Sequence, residues 1–563
     1  MGGLASFLIG IAARRSAGRF EKAVCDPVAA QNQRLQEMME RNRDTEYGRE
    51  YGFARIRSFE DYRKAVPIVT YEDIRERIDR VTLGEKNVLT AEDPVLFAQT
   101  SGTTGKPKYI PVTPTCQSGG GMTTWLHYSR RDHPKIFRGK SLTIVSPAIE
   151  GYTEGGLPYG STSGMIVKEM PSIVQSAYAV PYDAFEIKNY ESKYYTLLRL
   201  SLDENVTFLA TANPSSILKL AEMADRHADT LIRDIQDGTL DPEAEVSGEI
   251  RRALQGWLHK NPQRARFLEQ ARAQRGGRLL PADYWKEMAL LGCWKGGTVG
   301  AYIKRLHEWY DPDRKGMLPT RDMGYLSSEA RMSIPISDEG AGGVLTVHHN
   351  LFEFVDAQEV EDRPDKSATW GLQGISDLEL GREYFVFITT PGGLYRYDIN
   401  DVIEVVGDYR GTPQVVFKRK GRGMTNLTGE KVSVNQIIDA IEMTASTVEI
   451  PVSHFRTEPD LESSRYVFKV ECTTEYPREK WGTFLKTLDH QLGELNIEYK
   501  AKRASGRLGD PILQVMKKGW YDRGKEALVA DGKRIFQAKT VLLDSKLGYH
   551  PEPEETVVEL SLE

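Results

Sequence analysis

Cysteine is scarce: the chain has four in 563 residues, Cys25, Cys116, Cys293 and Cys472, with no C-x-x-C pair. That excludes a disulfide-stapled scaffold and a cysteine-ligated zinc ribbon, and it fits reduced thiols in a cytoplasmic protein. Long hydrophobic runs are lacking too. The apolar stretch Leu4–Ala13 is too short to span a bilayer, and its arginines follow it, whereas a secretory leader carries its charge first. Met1-Gly2 with Ser6 fits the short N-myristoylation pattern, but an amphipathic first helix is the expectation, with no membrane span. Positive charge is not in excess. A net charge of −6 and a pI near 6.1 argue against a nucleic-acid partner. No internal repeat is evident. What remains is ordinary globular composition, 40% hydrophobic and 27% charged. The length exceeds what one core supports, so two or more domains are expected.

One stretch organises the rest: Phe97 to Pro111, FAQTSGTTGKPKYIP. Ser101, Gly102, Thr103, Thr104 and Gly105 run together, followed by Lys106 and Lys108. Glycines let backbone N–H groups turn inward, hydroxyls add donors, and successive inward amides make an anion nest. The lysines add compact positive charge. An apolar lead-in and a β-favouring lead-out put the loop between strands. It is not a Walker A loop, because only two residues separate its glycines and Pro107 follows Lys106. Alone, it reads equally as a flexible turn.

Around it the pattern is mixed α/β. Helices are expected over Val28–Arg43, from Ser58 (SFEDYRKAV), with Asp61 as a capping-box-like acid, and from Thr70. Strands are expected at Ser141–Ser146, Val206–Ala212 and Met288–Trp294. Further strands are expected at 342–348, 384–390, 402–406 and 415–418. A charged helical layer fills 225–290. The polar break Thr425–Lys431 is the expected hinge, with a helix over 432–443 and a strand at Arg465–Cys472 beyond it. Leu485, Leu488, Leu492, Leu495 and Tyr499 predict an amphipathic helix over 482–499. The expected fold class is α/β: a large N-terminal domain of β-sheets layered by helices over 1–425, plus a small mobile α+β domain over 426–563.

Four more stretches have site-like composition: DMGYLSSEA (322–330), LFEFV with Glu353 (351–355), LYRYDINDV ending in Asp401 (394–402) and the basic run FKRKGR (417–422). Each alone has a bland reading as a cap, a cross-strand pair, a turn acid or a solvated patch. In this order, with TSGTTGKPKYIP, NRDTEYGREYGF (42–53), VPIVTYEDI (66–74), GEK (429–431), LDHQLGELNIEYKAKR (488–503) and QAK (537–539), the series resembles the Gretchen Hagen family of acyl acid amido synthetases, adenylate-forming enzymes first known for auxin-responsive members. The resemblance covers almost the whole chain. Departures are Asp398 and Asn400, where an Arg and a Gly are common, and the absence of Pro-Arg after Lys539.

The resemblance implies an ATP- and Mg²⁺-dependent ligase that adenylates a carboxylic acid and passes the acyl group to an amine, an amino acid being the expected acceptor. Ser101, Gly102, Thr103, Thr104 and Lys106 would hold phosphate. Glu329 would hold the metal, Ser328 and Tyr325 would line the nucleotide, and Asp401 would accept the ribose hydroxyls. Arg419 and Lys431 would lie at the ribose and hinge, and Lys539 would neutralise the α-phosphate during adenylation. Gly160, Ser161 and Thr162 would lie near the acyl pocket. No histidine sits in a motif that marks the base for the amine. Two rivals are an acyl-CoA ligase and a non-catalytic nucleotide-binding pseudo-enzyme.

Overall fold

Good helix formers and side-chain caps shape the first ninety residues. Helix Pro27–Asn42 opens with Asp26 accepting the Ala29 N–H and with Pro27 at its first position. Ser58 caps Phe59–Ala65, and the Thr70–Asp73 capping box starts Tyr71–Thr82. A computed structural model describes residues 3–100, 108–296, 301–313, 318–363, 369–472, 474–521, 523–524, 543 and 549–562. Among these residues no helix is long and apolar enough to cross a membrane. All four cysteines are free.

The chain divides into two compact units, one of 1–99 with 109–418, the other of 100–108 with 419–563. In the first, the expected strands at 141, 206 and 288 are Lys140–Thr143, Val206–Ala210 and Leu290–Gly292. They align in parallel, with Thr320–Arg321 as a fourth. Val206–Ala210 is buried throughout, as a parallel sheet covered on both faces requires. Helices Ala228–Asp237 and Pro262–Gln274 of the charged layer bury Leu231, Ile235 and Leu268 against this region. Arg233, Asp237, Arg266 and Glu269 stay exposed, whereas Asp234 is buried.

A second sheet orders Lys108–Val112, Leu96–Thr100, Pro158–Gly160 and Gly151–Tyr152. The lead-in and lead-out of the glycine-rich loop are therefore adjacent strands. A third sheet of six strands places Tyr397–Tyr409 between Glu383–Thr389 and Thr412–Lys420, with Leu351–Asp356 at one edge. Strand Tyr397–Tyr409 begins well before the 402–406 run expected from composition, because Tyr397 and Asp398 pair with Ile388 and Phe387.

In the second unit, helices Val434–Val448 and Arg478–Leu495 pack with a four-stranded sheet around Phe468, Trp481 and Leu488. The helix expected over 482–499 breaks at Asn496, whose side chain accepts the Tyr499 N–H at 2.9 Å and starts Ile497–Ala504. The apolar period crosses this break because Leu488, Leu492 and Tyr499 share one core. The mixed α/β class expected from the sequence is the class this chain adopts.

Candidate functional site

The six-stranded sheet carries a defect where the chemistry collects. Phe387 pairs with Asp398 and Phe385 with Val402, so Ile399, Asn400 and Asp401 together oppose Val386. Such a bulge kinks a strand and re-aims its side chains. Asn400 sits at its crest with φ +55°, and its N–H donates to Asp398 Oδ1 at 2.8 Å. A left-handed residue suits glycine first and asparagine next, so Asn400 meets the same backbone demand as the commoner glycine. Asp401 follows, 2% exposed.

Tyr325 meets Asp401 there. Its hydroxyl donates to Asp401 Oδ2 at 2.7 Å, and its ring stacks on Phe417 with centroids 5.8 Å apart. Tyr325 is positioned by a tight turn. Gly324 has φ +84°, a Cβ there would lie 2.5 Å from the Ser333 carbonyl oxygen, and the Asp322 carboxylate accepts the Gly324 and Lys295 N–H groups at 2.6 Å each. Burial pushes the Asp322 carboxyl up to about 6 despite these donors. Ser327 to Ala330 then closes a second turn. The Ser327 N–H donates to the Ala330 carbonyl at 2.9 Å and the Glu329 N–H to Ser327 Oγ at 3.2 Å. Ser328 and Glu329 are half-buried on it.

Electrostatics tie these groups together. Burial, then the Asp401 charge and hydrogen bond and the Glu329 charge, hold the Tyr325 phenol far above its ordinary range. The Tyr397 phenol is raised likewise by burial, then by Glu329, Asp398, Tyr71 and Asp401. Tyr71 in turn accepts the Tyr109 N–H at 2.8 Å, on the strand that leaves the glycine-rich loop. Two acids, Glu329 and Asp401, therefore share one buried, tyrosine-walled region with the anchorage of that loop.

The remaining expected residues divide. Gly160 aligns in parallel with Ala98, two residues before the loop's first strand ends. A Cβ on Gly160 would lie 2.3 Å from the Ala148 carbonyl oxygen. Ser161 accepts the Gly164 N–H and caps helix Thr162–Lys168, which Thr162 begins. Arg419 and Lys431 belong to the second unit, Lys431 at φ +49°. Ser101, Gly102, Thr103, Thr104, Lys106 and Lys539 lie outside the described residues.

Glu353, flagged between aromatics, has a structural task. It accepts from Arg396 Nε at 2.8 Å and Nη2 at 3.2 Å and from Arg63 Nε at 2.8 Å. Arg396 Nη1 also donates to the Val66 carbonyl at 2.6 Å, and Val69 bridges Tyr397. The motif's arginine thus clamps 63–69 beside the bulge. Phe417 as ring partner and the Arg396–Glu353 pair were not read from sequence. Their signals, an aromatic in FKRKGR and an acid inside LFEFV, name no partner.

Among the described residues no group of three or more His, Cys, Asp or Glu could hold a metal alone. Glu329 offers one carboxylate, a set suited to a hard cation that takes its other ligands from phosphate and water.

Comparison with known proteins follows this geometry. Models of the GH3 family N-terminal, central and C-terminal domains match residues 16–314, 343–420 and 435–545. A jasmonoyl–L-amino acid synthetase of Nicotiana attenuata is 24% identical over 543 residues, 92% of each chain. An indole-3-acetic acid-amido synthetase of Arabidopsis thaliana is 26% identical over 544 residues, 92% of this chain and 89% of that one. In fold, the chain is similar to the GH3.15 acyl acid amido synthetase, with TM-score 0.64 and 22% identity over 96% of each chain.

Proposed function

The chain belongs to the GH3 family, and from that premise we propose that it is an ATP-dependent acyl acid amido synthetase, a ligase joining a carboxylic acid to an amino acid. The observation that carries the reading is the Tyr325–Asp401 pair on its bulge, with Glu329 in the same buried region. Relatives named jasmonoyl–L-amino acid synthetase and indole-3-acetic acid-amido synthetase support the class of reaction.

A carboxylate is a poor electrophile because its leaving group would be oxide. In the proposed first step a carboxylate oxygen of the acid bonds to the α-phosphorus of ATP, the bond to the bridging oxygen breaks, and pyrophosphate leaves. In the second the amine attacks the acyl carbon, AMP leaves, and the amine's proton passes to a base. Catalysis here is mostly positioning and charge. Asp401 accepts the ribose hydroxyls, held in one orientation by the Tyr325 hydroxyl. Ser101, Gly102, Thr103, Thr104 and Lys106 donate to phosphate, and Glu329 with Ser328 faces the polyphosphate. Mg²⁺ bound at Glu329 would supply charge neutralisation for the departing pyrophosphate. Gly160 to Thr162 border the acyl pocket. Arg419 and Lys431 serve the ribose end, and Lys539, on a small domain of 426–563 that reorients between steps, meets the α-phosphate.

The test is a panel of carboxylic acids with ATP and Mg²⁺, read by pyrophosphate release, followed by amino acids or coenzyme A. AMP release that needs an amino acid is expected. Release that needs only a thiol, or turnover that survives Asp401→Ala, overturns the assignment.

A further inference from the structure

The first helix, Gly3–Val24, has a face that the enzyme reading leaves unexplained. Ala13, Ala17, Phe20 and Val24 are buried. The helix is pinned on that side: Ser16 Oγ donates to the Gly120 carbonyl at 2.9 Å, Thr124 Oγ1 to Ser16 Oγ at 2.9 Å, and Arg130 Nη1 to the Ser6 carbonyl at 3.2 Å. At about 100° per residue, the opposite arc collects Phe7, Leu8, Ile11, Arg14, Arg15, Arg19 and Lys22. Phe7 is 61% exposed, Leu8 41% and Ile11 37%. The four cations are exposed as well. The arc is thus apolar at its start and, apart from Gly18, cationic after it.

No acid lies on that arc among the described side chains. Glu21, the first acid in the sequence, sits at the arc's edge and is taken up by the hydroxyls of Tyr128 and Tyr409. More positive charge flanks the apolar end. Arg130 of helix Gly121–Asp132 reaches the Ser6 carbonyl there.

We propose that this helix docks the protein on an anionic lipid bilayer, lying in the interface rather than crossing it. Phe7, Leu8 and Ile11 enter the headgroup–acyl boundary while Arg14, Arg15 and Arg19 meet lipid phosphates, the arrangement by which basic amphipathic helices bind membranes. Charge complementarity selects this partner. A cationic face repels a second copy of itself, and three large apolar side chains add nothing to contact with a nucleic-acid backbone. Since the buried face stays on the protein, docking needs no unfolding.

The test is co-sedimentation of the full chain with vesicles of phosphatidylcholine alone and of phosphatidylcholine with phosphatidylserine, at low and high salt. Binding only to the anionic vesicles, weakened by salt, is expected. Each cation near a charged membrane contributes about fivefold in affinity, so R14E/R15E/R19E should lower binding at least about a hundredfold. F7D/I11D changes exposed positions only. It should lose binding while keeping the melting temperature and basal turnover. Equal pelleting with neutral vesicles, no pelleting with anionic ones, or variants that pellet like the parent overturn the proposal. So does a concentration-dependent dimer in lipid-free buffer that F7D/I11D abolishes, which would assign the face to a second copy.

Discussion

Tyr325→Phe removes one oxygen from the centre of the site and nothing else. That oxygen donates 2.7 Å to Asp401 Oδ2, with Tyr325 and Asp401 6% and 2% exposed. The ring keeps its place on Phe417, so little packing is lost. A hydrogen bond to a charged group contributes about 1.5–3 kcal/mol, and a buried acceptor left without its donor bears the desolvation penalty. Part of the loss should appear as lower thermal stability without ligand. If Asp401 grips the ribose, part should also appear as weaker nucleotide binding, because the carboxylate loses a bond that orients it. A loss of about 1.5–3 kcal/mol in binding is roughly 10- to 100-fold. The assay is the melting temperature titrated with ATP, whose upward shift reports affinity by mass action, together with acid-dependent pyrophosphate release. Asp401→Asn, which keeps the shape and removes the charge, should lose more of the ATP shift than Tyr325→Phe. If both variants lower the melting temperature without ATP yet leave the ATP-dependent shift unchanged, Asp401 merely props the bulge and the nucleotide assignment falls.

Glu353→Gln should destabilise the first unit by about 3–5 kcal/mol, because Arg396, 3% exposed, would keep its buried charge and lose its counter-ion; a denaturant midpoint close to that of the parent would show the pair to be dispensable. Gly324→Ala forces a Cβ to 2.5 Å from a carbonyl oxygen at φ +84°. It should cost at least about 1–3 kcal/mol and blunt the ATP-dependent thermal shift, a result that unchanged ATP binding would contradict. Burial lowers His348 to about 4 and His349 to about 3, in the second case with help from the neighbouring His348 charge. The unfolded chain, at the ordinary value near 6.5, therefore takes up protons first. Their contribution to stability is complete above pH 6.5, falls as pH drops toward 3 by up to about 1.4 kcal/mol per pH unit for each histidine, and levels off below. Urea midpoints measured from pH 7 to 4 should show this slope and His349→Gln should reduce it; a slope unaltered by that variant would mean the histidine is not held neutral.

The elements most legible in the sequence were those with local causes. Helices starting at Asp26, Ser58 and Thr70 carry their caps within three residues, and Val206–Ala210 announces itself by a run of apolar and β-branched residues. The break at Asn496 was not legible. The leucine period does not stop there, and hydrogen bonds from the Asn496 amide to the Glu430 carbonyl, 66 residues away, and to Gln436 Oε1 show what the asparagine holds. The expected strand at 402–406 was short for a related reason. Composition marks where β-branched residues cluster, whereas Tyr397 and Asp398 are strand because Ile388 and Phe387 lie opposite.

The same division runs through the site. Asp401 and the Tyr325–Glu329 turn were marked by motif alone, yet the motif does not tell which acid is aimed inward and which is spent on structure. Glu353 and Asp401 both follow aromatic, apolar lead-ins, and both are buried. What separates them is the partner. Glu353 faces Arg396 and Arg63, so its charge is neutralised within the protein. Asp401 accepts the Tyr325 hydroxyl, which orients one of its oxygens. The bulge at Asn400 turns it toward Tyr325. Replacing Asn400 by a β-branched residue should therefore damage nucleotide binding more than any substitution along the regular part of the same strand, because only at that crest does the backbone demand positive φ. Val402→Ile, one position past the bulge and paired with Phe385, is the matched control. If Asn400→Val leaves the ATP-dependent thermal shift intact, the bulge does not aim Asp401.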